Sequence, residues 1–174
     1  SNTLLSLNQM GLSWLDIESK KRGLGIKLLD SVLSNVSSFK PQEISMTLLS
    51  LNQMGLSWSN IEAKKSGLGN KLLDSVSRNV SNFKPQEISM TLLSLNQMGL
   101  RLDDVEDRME GLVNELLESV LRNASSFNSQ GISNTLLSLN KMGLSWNDIE
   151  TKKPALGNKL LESVSSNLSS FNPQ

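Results

Sequence analysis

A tandem repeat restricts the fold of this chain more than any other feature. The string TLLSLN begins at Thr3, Thr47, Thr91 and Thr135, a spacing of 44 residues each time. Cut at that period, the units are 1–44, 45–88, 89–132 and 133–174. The first two differ at nine of 44 positions, the third is the divergent copy, and the fourth stops two residues short of a period. A unit of this length buries its apolar face by stacking on its neighbours, so the chain reads as a single solenoid array. It opens partway through the phrase FKPQEISMTLLSLNQMG and closes on Phe171-Asn172-Pro173-Gln174, the start of a further copy. Neither end carries a polar capping unit, so the frame reads as an excerpt of a longer array.

Each unit reads as helical. In Pro41–Gly55, the proline suits a first helical position and Glu43 the positive helix start. Ile44, Leu48 and Leu51 share one stripe, widened by Leu49 and Met54, and Gly55 stands where a left-handed residue ends a helix. Gly11, Gly99 and Gly143 occupy that place in the other units. This is helix A. A second stripe, Leu68, Leu72, Leu73, Val76 and Val80, defines helix B. Pro154 replaces Ser66 in the fourth unit, which places the start of helix B at 66 and predicts a span of 66–81. Gly69 is Val113 in the third unit, so it belongs in ordinary helical conformation. Phe83 anchors the link to the next helix A. Between the two helices, Ser57 is a candidate N-cap, and Trp58 and Ile61 share a face, which predicts a short connecting helix. The unit is either a long helical hairpin or a three-helix, armadillo-like unit. The expected fold is all-α, a right-handed α-solenoid about 40 Å long at roughly 8–10 Å per packed layer.

Composition removes most chemistry. There is no Cys, His or Tyr, so disulfides, thiolate or histidine catalysis and Cys/His zinc sites are excluded. Carboxylates, Lys, Arg and hydroxyls remain, without a constellation that would make an enzyme, and no cofactor or metal is expected. The acidic run of the third unit, Asp103, Asp104, Glu106, Asp107 and Glu110, lacks the alternate-oxygen spacing of a calcium loop and reads as a solvated face. Formal net charge is zero, distributed as +1, +2, −4 and +1 over the four units, so there is no general polyanion footprint. No apolar run reaches the roughly 18 residues of a membrane span, and the start lacks a secretory signal pattern. A cytoplasmic or organellar protein is expected, with a secreted effector as a further option.

Three recurrent features bear on binding. Opposite the stripe of helix A lies a row that varies while the adjacent TLL does not: Met46, Ser50 and Gln53, with Asn2, Ser6 and Gln9, Met90, Ser94 and Gln97, and Asn134, Ser138 and Lys141. Asn2, Gln9, Met46, Gln53, Met90, Gln97, Asn134 and Lys141 are the candidate ligand-binding residues, since amides pair with base edges or peptide groups and methionine lies against flat apolar faces. Asn8, Asn52, Asn96 and Asn140 border the stripe and are expected to bond the neighbouring repeat's backbone as a ladder. Lys20-Lys21-Arg22, Lys64-Lys65 and Lys152-Lys153 form a basic cluster that meets phosphates or complements the end of the short helix. The Asn-X-Ser sequons at Asn35, Asn79, Asn123 and Asn167 are one motif copied four times and carry no expectation of their own.

Phe39, Pro41, Gln42, Glu43, Thr47, Leu48, Leu51 and Gly55 of helix A resemble the signature of the octotricopeptide repeat family, and Asn2 and Asn134 supply its Asn before Thr. The chain is similar also to tandem repeats of unknown function in intracellular bacteria. The octotricopeptide resemblance implies an α-solenoid that binds single-stranded RNA, roughly one nucleotide per repeat. The alternative is a protein-interaction scaffold, such as a bacterial effector, that engages a protein or peptide through the same face.

Overall fold

The computed structural model describes residues 2–169, with the side chains of Asn2 and Ser169 outside that description. Twelve α-helices and no strand occur among them, three helices to a unit. The unit is therefore the three-helix one. Helices A are α1 (Asn2–Gln9), α4 (Pro41–Gln53), α7 (Pro85–Gln97) and α10 (Ser129–Lys141). The short helices are α2 (Trp14–Lys20), α5 (Trp58–Lys64), α8 (Leu102–Arg108) and α11 (Trp146–Lys152). Helices B are α3 (Leu24–Asn35), α6 (Leu68–Asn79), α9 (Leu112–Asn123) and α12 (Pro154–Ser169). Successive helices A pack side by side, helix B packs behind its own helix A in the second, third and fourth units, and one apolar core runs through the array as an α-solenoid.

Local chemistry sets the breaks. Gly11, Gly55, Gly99 and Gly143 adopt φ of +81° to +105° and end their helices A as expected. Ser57 caps α5, accepting from the Asn60 amide at 3.2 Å while Asn60 Oδ1 accepts from the Ser57 amide at 3.2 Å. Phe83 is buried at the link, and Gly69 has helical φ.

The start of helix B differs from the expectation. It lies at Leu68, because Gly67 takes the left-handed conformation (φ +78°) and interrupts the chain. Only the fourth unit starts at 154: there Ala155 replaces that glycine, a left-handed turn is disfavoured for a side chain with Cβ, and the helix extends back to Pro154. At its other end α6 stops at Asn79 and the chain continues as one 3-10 turn, Val80–Asn82.

The units are stapled by repeated polar bonds as well as by the core. The amides of Trp14, Trp58 and Leu102 each donate at 2.9 Å to the carbonyl of Met54, Met98 and Met142, the C-cap of the following helix A. The sequon asparagines form the ladder. Asn79 Nδ2 donates to Phe39 O (3.0 Å) and Ser75 O (2.7 Å), Asn123 to Phe83 O and Ser119 O, and Asn167 to Phe127 O and Ser163 O. A ladder to the neighbouring backbone therefore exists on helix B, and not on Asn8 and Asn52 where it was expected.

Candidate ligand-binding face

Helix A is an inner-layer helix, and this determines what its surface offers. Ser50, Ser94 and Ser138, expected outside, are fully buried. Ser50 and Ser94 turn their hydroxyls onto the Met46 and Met90 carbonyls at 2.8 Å. With Thr47, Thr91 and Thr135, also 0% exposed, they are the small residues that let neighbouring helices A approach closely. A helix contacted by its own helix B and by two neighbouring helices A keeps only a narrow strip outward. Leu49 and Leu93, expected to widen the buried stripe, lie on that strip half-buried, and Leu137 is 49% exposed.

The strip carries a groove of about 610 Å³ across α4, α7 and α10. Gln53, Met90 and Asn134, three of the expected residues and each from a different repeat, line it together. Leu49, Leu93 and Pro85 supply its apolar surface, and Gln86, Asn128 and Gln130 add amides. Among the described residues that line it, Lys84 alone is charged. The volume falls within the roughly 300–1,000 Å³ of ligand clefts. Met46, Gln97 and Lys141 lie on the same helices outside the groove, and Gln9 is exposed on α1. Asn2 begins α1, but its side chain lies outside the described residues. The flanking Gln86, Asn128 and Gln130 were missed because they belong to the start of helix A, away from the varying row. Their recurrence as Gln42, Gln86 and Gln130 was the available signal.

The asparagines at the border of the stripe act on this strip. Asn8 Nδ2 donates to Gln53 Oε1, and Asn52 Nδ2 donates to Gln97 Oε1. Each glutamine thus has its carbonyl occupied by the preceding repeat and its NH2 left to donate outward. The ladder changes at Lys141, an ammonium that accepts nothing from Asn96.

The basic cluster also has a structural role. Lys65 Nζ lies 2.5 Å from Asp30 of the preceding helix B, and Lys153 is paired with Glu118 in the same arrangement. The Lys153 hydrogen bond and charge hold the Glu118 carboxyl below its ordinary range. In the acidic unit, Asp104 accepts from the Arg101 amide at 2.8 Å, and Glu106 from the Gly111 and Val113 amides at 2.7 and 3.2 Å. Among the described residues, no group of three or more carboxylates could hold a metal ion, and no helix is long and apolar enough to cross a membrane.

Fold and surface together define a helical tandem-repeat protein built on four near-copies. The chain belongs to the family described as "Protein of unknown function (DUF1601)", whose model matches it four times, at residues 10–48, 54–92, 104–136 and 142–174. The first two matches begin near the end of one helix A and close inside the next, so the family frame is the repeat seen in another phase. The third match begins late, where Arg101-Leu102 replaces the Ser-Trp of the other units. No curated protein and no solved structure matches the chain.

Proposed function

We propose that this chain is a non-enzymatic scaffold that holds an extended segment of a partner polypeptide along its row of helices A. The observation that carries this reading is the groove across three repeats, with an apolar floor of Leu49, Met90 and Leu93 beneath the amides of Gln53, Gln86 and Asn134. Amides donate to and accept from a peptide backbone, and a leucine floor receives alternate apolar side chains. The octotricopeptide likeness of helix A favours single-stranded RNA instead, but phosphates require cations and bases require aromatic platforms. The groove offers Lys84 and the edge of Phe127, a ring only 5% exposed.

The test is parallel selection on the immobilised array, with a displayed library of random 12-residue peptides and with a randomised RNA pool. Peptides should be enriched, and Met90→Arg, which places a guanidinium in the floor at a half-buried site, should abolish their capture. Enrichment of RNA without peptide, or peptide capture indifferent to Met90→Arg, would overturn the reading.

A further inference from the structure

A second cavity, of about 410 Å³, lies between the third and fourth repeats on the side of the short helices, away from the groove. It is lined by Leu102, Val113 and Leu117 of one repeat and Ile149, Lys152 and Leu156 of the next. Position 102 is where the first two repeats carry Trp14 and Trp58, indoles only 3% exposed. Those rings lie against Gly25 and Gly69. A Cβ there would stand 2.5 Å and 2.9 Å from the ring carbon Cζ2 of Trp14 and Trp58. In the third repeat tryptophan has become Leu102 and glycine Val113, so the indole is gone and valine refills only the side against helix B.

What surrounds the missing ring is retained. Lys64 of the second repeat sits 6.0 Å from the ring centroid of Trp14, and Lys152 is its equivalent at the cavity. Such a cation over a ring face is attractive. In the fourth repeat, Trp146, a ring 38% exposed, donates from Nε1 to Glu150 Oε1 at 2.8 Å, whereas the buried indole N–H groups of Trp14 and Trp58 meet no acceptor. The equivalent carboxylate, Glu106, lines the cavity and, while accepting from the Gly111 and Val113 amides, keeps lone pairs for one further donor. An apolar slot edged by Lys152, itself 3.6 Å from Asp148, and by a carboxylate with lone pairs to spare offers an indole both a cation for its ring and an acceptor for its N–H, the second of which a phenyl ring cannot use. The volume exceeds that of the bare ring and leaves space for the backbone that carries it.

We propose that this cavity receives a tryptophan side chain presented by a partner polypeptide, which replaces the indole that the third repeat lacks. The site is independent of the helix A groove. Its test is methyl NMR titration of the whole chain with N-acetyl-L-tryptophanamide, following Leu102, Ile149 and Leu156. We expect saturable shifts with a dissociation constant on the order of 0.1–1 mM, a strength ordinary for a ligand of this size. The N-acetyl-phenylalaninamide and 1-methyltryptophan analogues should bind at least about fivefold more weakly. The double variant Leu102→Trp/Val113→Gly, which restores the composition of the first two repeats, should lose the response at least tenfold. Lys152→Ala, at a side chain 73% exposed, leaves the fold intact and should weaken binding severalfold. Absence of saturable shifts, equal binding of the phenylalanine analogue, or undiminished binding by the filled variant or by Lys152→Ala would overturn the proposal.

Discussion

Replacing Gly69 with Val tests whether the Trp and Gly positions are one packing unit. A Cβ at Gly69 stands 2.1 Å from Glu62 Oε1 and 2.9 Å from Trp58 Cζ2. The carboxylate can move, since Glu106 already lies beside a valine and bonds the Gly111 and Val113 amides. The indole, 3% exposed in the core, cannot. Overpacking of this kind costs about 1–3 kcal/mol, and the better helix propensity of valine returns only about 0.4 kcal/mol. Gly69→Val alone should therefore lose about 2 kcal/mol. Trp58→Leu alone removes part of a buried ring and should cost about 2–3 kcal/mol, below the roughly 3–5 kcal/mol of truncation to alanine. Independent effects would sum to about 4–5 kcal/mol. In the double variant the valine occupies space that the ring vacated, so the loss should be only about 2–3 kcal/mol, a coupling of about 2 kcal/mol. Urea unfolding followed by circular dichroism on the four proteins measures it, with equal m-values required because repeat arrays depart from two-state behaviour. Additivity within about 0.5 kcal/mol would refute the reasoning.

Other positions give further expectations. Asn79→Ala removes donors to Phe39 O and Ser75 O and leaves an inter-repeat carbonyl unpaired, so the array should lose about 2 kcal/mol in the same assay. Gly67→Ala at φ +78° should cost about 1–2 kcal/mol, while Ala155→Gly, at the helical counterpart, should cost no more than about 1 kcal/mol. Asp148 is held below the usual carboxylate range, first by the Ser145 hydroxyl and then by its amide. A lowered carboxylate stabilises the fold above its unfolded value near pH 4, and that contribution disappears as pH falls through the folded value. Amide protection in α11, taken relative to the intrinsic exchange rate at each pH, should accordingly fall in acid, while α5, capped by Asn60, should show no such titration.

The architecture was readable because the repeats compare themselves. A glycine that becomes valine excludes a left-handed turn at Gly69, and a serine ahead of Trp58 marks a cap. A single copy does not represent all four, and a single helix does not reveal what covers it. Pro154 set the start of helix B at 66, but its neighbour Ala155 is what permits that start, and Gly67 forbids it in the second repeat. A helical wheel recognises one buried face, whereas helix A in an inner layer is covered on three sides. Ser50 was therefore buried against expectation, and Leu49 reached the groove. Asn52 and Asn79 recur at the same period, and only the packing of helix B on the preceding link shows which one meets a neighbouring carbonyl.

The central claim, that the row of helices A is the ligand face, is tested most directly by mapping a selected peptide onto the array with amide and methyl NMR shifts. The account predicts changes concentrated on Leu49, Gln53, Met90, Leu93 and Asn134, with side-chain amide signals of Gln53 and Gln86 among the largest. Changes confined to the short helices and helices B, with the helix A strip unmoved, would contradict it.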